Sequence, residues 1–487
     1  EVPMTISSAL NNAMTGLRAA GRATQVVSSN LSNALTEGYG ARSLELSSQS
    51  MGGLGGVRVD GITRNVDPVL VADRQMASAA YANKQTTLGF MTELDRLIGT
   101  PDQVGALTQQ ISAFESSLIT AASRPDAPDR LAAAVNSARD LATTIKRASS
   151  GIQDQRTRAD QTIGDQVTRL NAALSELQTL NGQITKAQVR GANDVSFLDY
   201  RQKLVDEISA IVPVKTVARA NGAIALFTTG GSVLIDGKAA EVGFDPVNLV
   251  GAGMSLDAGS LSGLTVNGVD VRTGPDNGAL RGGGLSAQFE IRDQMAPHAQ
   301  EQLDAVARDL IERFEALAPL SLTGDPLPGL FTDNGSRFDD LDETGLAGRL
   351  TVNQLVDPTQ GGDTWKLRDG LGATTTGDVG NSTHLQSLGD VLSSTRQPAS
   401  GDFGTGSLSA VNLSSTLISM FANDRTNNEQ HLSFASVQLD ELIQQELANG
   451  VDSDAELQRL ILIEQAYAAN ARMIQTVDEM MQTLLRI

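Results

Sequence analysis

Three histidines, His298, His384 and His431, are the side chains best suited to hold a transition metal or to move a proton near neutral pH. No His-Glu-x-x-His or comparable spacing joins them, so they read as capped or solvent-facing residues. Cysteine is absent, which removes thiolate nucleophiles, thiolate metal sites and disulfides together. GSVLIDGK at 231–238 comes near a phosphate-binding loop, but five residues separate its glycines and Ala239 follows the lysine. Lacking the hydroxyl that would hold magnesium, it reads as a hairpin turn. Asp340-Leu341-Asp342-Glu343-Thr344-Gly345 begins like a calcium loop, yet its twelfth position is Thr351 rather than a bidentate Glu. It reads as a solvated acidic turn. GSLSG at 259–263 puts Leu261 where a nucleophile elbow needs Ser, and Trp365 reads as a packing anchor. These residues assemble no catalytic or metal site, call for no cofactor, and point to a protein that is not an enzyme.

Composition narrows the remaining classes. Lys+Arg 37 against Asp+Glu 57 leaves a net charge of −20, the wrong sign for nucleic acid or an anionic membrane surface. Aromatics make up 3% of the chain, so its cores must be built from Leu, Ile, Val and Ala. That suits slender helical packing better than ring-lined ligand pockets. No apolar run is long enough to span a bilayer. The N-terminus also lacks the charged and apolar regions of a cleavable secretory signal.

What the sequence does contain is two strict helical seams. Ile6, Leu10, Ala13, Leu17, Ala20, Thr24, Val27, Leu31 and Ala34 alternate by fours and threes, the heptad spacing of a coiled coil. Leu460, Ile463, Tyr467, Asn470, Ile474, Val477, Met481 and Leu484 repeat the pattern near the other end. The first seam breaks at Thr36-Glu37-Gly38, and Ser453-Asp454-Ala455-Glu456 reads as a capping box opening the second.

Between the seams, Met51–Gly56 is a glycine-rich loop inside a hairpin, and Asp67-Pro68 starts a helix that runs to about Ile98. Further helices are expected at about 103–123 and, as long ones, between Pro128 and Gly191 and from Val195 to Ile211, with breaks at Gly99-Thr100-Pro101 and Arg124-Pro125-Asp126-Ala127-Pro128. After Pro213 the period changes to short alternating strands, with a hairpin at Asn267-Gly268. The expected fold is mainly α with β inserts, in an elongated multidomain protein. Its parts are an N-terminal helix and hairpin at 4–60, a helical bundle at 61–212 and a β-rich insert at 213–284. A return helix at 285–320, an irregular insert at 321–405, a bundle helix at 406–452 and a C-terminal coiled-coil helix at 453–487 follow. The order is nested, so it brings the two seams side by side.

The first seam has only five large apolar residues, Ile6, Leu10, Leu17, Val27 and Leu31, too few to order four heptads of backbone alone. Two readings stay open. The seams zip together within one chain, or their small residues admit neighbouring copies and the ends become ordered only in an assembly. Asn470 fits either, since one buried amide fixes register and partner number.

The stretch ISSALNNAMTGLRAAGRATQVVSSNLSNALTEGYGARSLEL resembles the N-terminal signature of bacterial flagellar rod, hook and hook-associated proteins, and EQAYAANARMIQTVDEMMQTLL their C-terminal signature. RPDAPDRLAAAVNSARDLATTIKR, DYRQKLVDEISAIVPVKT and GGLSAQFEIRDQMAPHAQEQLDAVARDLIERFEAL resemble the helical region of the hook-associated protein 1 family. Glu37 stands where that family usually has proline. The resemblance implies a structural protein of the extracellular flagellum, exported by the flagellar type III apparatus without a signal peptide. It implies self-assembly into a ring at the hook–filament junction, with hook protein and the next junction protein as neighbours. It also implies an export chaperone, FlgN, on the C-terminal helix. The expected assembly seam is then Ile6, Leu10, Leu17, Val27, Leu31, Ile463, Tyr467, Asn470, Ile474, Val477, Met481 and Leu484.

Overall fold

A computed structural model describes residues 6–36, 38–48, 55–100, 103, 105–190, 195–320 and 327–486, without the side chain of Leu484. Glu37, Pro101 and most of the glycine-rich loop lie outside them. The chain opens with helix α1 (Ile6–Ser32) and the antiparallel hairpin β1 (Ala41–Ser48) and β2 (Val57–Asn65). Helix α2 (Pro68–Ile98) begins where Pro fixes the first helical φ and the Asp67 carboxylate accepts the Val69 and Leu70 amides. Helix α3 (Leu107–Ser123) starts later than the pattern suggests.

Between Pro128 and Gly191 the chain forms the expected long helix: α4 (Pro128–Val189) is unbroken over 62 residues, about 93 Å long at 1.5 Å per residue. Its internal glycines mark close approaches. A Cβ on Gly151 would fall 2.3 Å from Leu97 of α2, and one on Gly164 would press Pro246. Helix α5 (Val195–Ile211) then leads into the β insert.

That insert holds two small antiparallel sheets. β3 (Val214–Ala218), β4 (Ile224–Thr228), β5 (Val233–Asp236) and β6 (Lys238–Ala239) form one, and β7 (Val242–Gly243), β8 (Leu264–Val266) and β9 (Val269–Val271) the other. GSVLIDGK is the β5–β6 turn, and Asn267 and Gly268 turn β8 into β9 with φ of 52° and 77°.

The chain returns through α6 (Gly283–Glu290), a π turn at Ile291–Met295, and α7 (Ala296–Glu315). The second insert contains β10 (Phe331–Asp333), α8 (Leu346–Arg349), β11 (Leu350–Val352), α9 (Lys366–Asp369) and α10 (Thr383–Ser393). Two long helices finish the chain, α11 (Ala410–Ala448) and α12 (Ser453–Leu485). The cap of α12 is Asp452, whose carboxylate accepts the Asp454 and Ala455 amides. Ser453, expected as that cap, is instead its first helical residue.

Two hydrophobic cores share α4. Its first half packs with α2, α3, α7, α11 and the second insert, around Phe331, which meets Phe114 and Phe314 edge-on, and the tilted Phe114–Phe314 pair. Its second half packs with α5, α6 and the β insert. Between them Arg292 pairs with Asp160 at 2.7 Å, both fully buried, and Arg156 donates to the Arg292, Gly251 and Met254 carbonyls. This knot ties the π turn and the 251–254 loop to α4.

Candidate assembly interface

The SSNLSN…GYG motif builds a corner. Asn30, fully buried, replaces a strand partner: its Nδ2 donates to the Arg42 carbonyl at 2.8 Å and its Oδ1 accepts the Arg42 amide at 2.9 Å. The Tyr39 hydroxyl donates to the same Oδ1 at 2.9 Å, while the Arg42 guanidinium lies 4.9 Å over the Tyr39 ring. Gly38 takes a φ of 76° that other residues rarely adopt. At Gly40 a Cβ would collide with Arg64 and Val66 at 2.5 Å. α1 therefore stops and the chain turns into β1.

A charged network joins this corner to the helical body. Arg42 and Arg64, on neighbouring strands, each reach Asp199 of α5 at 2.6 Å. Arg64 also donates to Gln202, which donates to Glu446 of α11 at 3.1 Å. Glu446 accepts from Arg74 of α2, and Arg74 pairs with Asp206 of α5 at 2.8 Å. Burial opposes the Arg74 charge, but Asp206 and Glu446 outweigh it and hold its pKa above the ordinary value. α2 and α11 run antiparallel, since Arg74 meets Glu446 while Asp95 meets Arg425. Sequence periodicity gave no hint of these pairs. The nearest signal was Arg74-Gln75 inside an otherwise regular helix.

Beyond the corner, α1 and α12 pack together. Their antiparallel sense follows from two contacts: Gly16 faces Asn470, and Ala34, Thr36 and Tyr39, just past the end of α1, line one cleft with Glu446 and Val451, just ahead of α12. Val27 and Val477 are buried in the pair. Ile6, Leu10, Leu17, Ile463, Asn470 and Ile474 are half-buried. Leu31 departs from the expected seam and is 38% exposed, because the neighbouring Asn30 turns inward to hold the corner. Tyr467 and Met481 are also exposed, since one partner helix cannot cover the whole stripe. The other side of α12 presents Leu457, Ile461, Leu462, Met473 and Met480 to solvent.

The residues considered for catalysis fall elsewhere. His298 and His431 line one cleft with Glu290 and Asp424, but among the described residues no group of three His, Asp or Glu side chains could hold a metal. The acidic turn is bound by arginines, Arg308 to Asp340 and Glu343, and Arg349 to Asp342.

Residues 91–329 match the family described as flagellar hook-associated protein FlgK helical domain. Residues 10–39 match the flagella basal body rod protein family, and residues 447–487 the C-terminal family of the flagellar basal body rod FlgEFG proteins. Over residues 91–329, just under half of its length, the chain is similar to the FlgK family. The two end matches meet in space as α1 and α12, with the FlgK helical domain looped out between them. Among curated relatives, the flagellar hook-associated protein 1 of Salmonella typhimurium is 29% identical over 245 residues, 48% of this chain and 44% of that one. The Escherichia coli K12 protein of the same name is 26% identical over 318 residues, 63% of this chain and 56% of that one. The chain thus spans about half the length of these relatives. The Bacillus subtilis hook-associated protein 1 is 20% identical over 98% of this chain and 97% of its own. A solved flagellar hook junction protein FlgK from Burkholderia pseudomallei is 22% identical, with a TM-score of 0.43 over 54% of this chain and 47% of that chain.

Proposed function

We propose that this protein is a structural subunit of the bacterial flagellum, acting outside the cell at the hook–filament junction and required for filament attachment. The observation that carries this reading is the terminal pair. Its two helices match axial flagellar families and pack antiparallel, yet one face of α12 stays apolar and open. Such a face is stable in water only when other chains cover it. In this reading copies of the protein form a ring, with segments 4–60 and 453–487 against one another and against neighbours, and the helical and β segments outside them. Hook protein meets one side of the ring and the next hook-associated protein the other.

Before assembly, the exposed α12 face needs a cover in the cytosol, and the export chaperone FlgN would supply it as a helix-in-groove partner. Since Ile463, Ile474 and Val477 face α1 in the folded chain, a chaperone reading that stripe must displace α1. The decisive experiment deletes the gene and images the cells by electron microscopy. Hooks without filaments, and filament subunits shed into the medium, are the expected result. Normal filaments on the deletion strain reject the assignment.

A further inference from the structure

A second contact surface lies away from the terminal pair. A cleft of about 400 Å³ opens between the start of α2, α5 and the edge of the first β insert, within the size range of preformed binding pockets. Its wall is apolar, with Pro68, Val71, Leu198, Val205 and Ile224, and it carries two arginines, Arg64 and Arg201, but no acid. Arg64 is satisfied by Asp199 and Gln202, and Asp206 nearby by Arg74 and Gln75. Arg201 is not: it gives one N–H to the Gly222 carbonyl at 2.6 Å and meets no carboxylate among the described residues. Burial, with Arg64 adding to it, draws its pKa down to about 10. A desolvated cation in an apolar wall is costly until an anion arrives.

The chain itself bears a complementary shape. On α11, Phe434 is 73% exposed and Val437 63% exposed. Positions three and seven beyond Phe434, Val437 and Glu441, share its helix face. Glu441 is exposed and, among the described residues, accepts only from Gln445 of its own helix. No residue of α11 lines the cleft. We propose that the Phe434–Val437–Glu441 ridge of one copy docks into the Arg201 cleft of a second copy, with Glu441 pairing to Arg201. Ridge and cleft are different patches, so the contact is head-to-tail and propagates into a ring or helix rather than closing a two-fold dimer. The charge match is local, and works against the overall repulsion between chains of −20. This inference rests on the self-assembling reading above and names a surface for it.

The absence of cysteine allows a clean test. Full-length Ala72→Cys and Gln438→Cys copies, one thiol beside the cleft and one beside the ridge, are mixed at high concentration and oxidised. The same pair is co-expressed in cells that assemble filaments. A cross-link at least tenfold above an Ala72→Cys with Ile119→Cys control is expected. It should fall to the control level with Arg201→Glu, and return when Glu441→Arg is placed on the other copy. Arg201→Met, checked by circular dichroism alongside Arg201→Glu, separates loss of charge from loss of fold. A cross-link no stronger than the control, in cells with attached filaments, overturns the docking and leaves the junction assignment standing. A cross-link that survives both arginine substitutions overturns the charge match. Failure of the junction assignment would appear separately, as filaments on the deletion strain.

Discussion

Asn470 of α12 lies directly over Gly16 of α1: a Cβ at position 16 would sit 2.8 Å from both Nδ2 and Oδ1 of the amide. The amide is steadied by its own helix, donating to the Ala466 carbonyl at 2.9 Å. Glycine in a helix interior costs about 1 kcal/mol relative to Ala, so here close approach outweighs propensity. Gly16→Ala should therefore loosen the α1–α12 pair. In an Asn470→Ala background the same change should stabilise it by up to about 1 kcal/mol. Hydrogen exchange across α1 and α12 in the four proteins of this cycle measures the coupling. Additive effects would mean the two residues do not touch.

The corner makes a separate prediction. Asn30→Leu keeps bulk but strands the partly buried Arg42 amide and carbonyl, at up to about 1–3 kcal/mol for each unsatisfied group. Tyr39→Phe removes one hydroxyl and should cost about 1 kcal/mol. Both should speed exchange of the Arg42 amide, Asn30→Leu far more. Equal exchange rates in the two variants would contradict the pair of hydrogen bonds between Asn30 and the Arg42 backbone.

Arg74 holds two acids, Asp206 and Glu446, that meet no other arginine or lysine among the described residues. Arg74→Met leaves Asp206 and Glu446 uncompensated, and about 3–5 kcal/mol of stability should be lost. Adding Asp206→Asn and Glu446→Gln should recover most of it. Denaturant unfolding of wild type, single and triple variants tests this, and a mild single mutant would show that water satisfies the pair.

Much of this architecture was legible in the residues. Heptad spacing located α1 and α12, Asp67-Pro68 fixed the start of α2, and Asn267-Gly268 marked a hairpin. Period alone did not reveal the corner, because its chemistry runs from Asn30 to Arg42 and from Arg64 to Asp199, contacts that no local pattern encodes. Nor did it show that glycines inside α4 are packing points for Leu97 and Pro246. At Leu31 the heptad rule lost to the hydrogen-bonding demand of its neighbour, Asn30.

Asp304 gives a pH-dependent prediction. Burial pushes its carboxyl up to about 6, although the Gly345 and Ala347 amides and Gln300 all donate to it. A carboxyl raised in the folded state contributes stability that is present below its unfolded value of 3.8 and is lost as pH rises through about 6. Between about pH 5 and about pH 7.5, wild type should lose on the order of 1 kcal/mol relative to Asp304→Asn. Unfolding midpoints at both pH values, for both proteins, provide the measurement. A constant difference would place Asp304 at its ordinary value.

The continuity of α4 has a thermodynamic consequence. Both hydrophobic cores take a wall from the same 62-residue helix, and the buried Arg292–Asp160 pair sits at the seam between them. Neither core can melt without fraying backbone that the other requires, so the enthalpy of each is released only with its neighbour's. The body should therefore give one calorimetric transition whose van't Hoff enthalpy reflects both cores together, a single cooperative unit despite the modular look of its chain order.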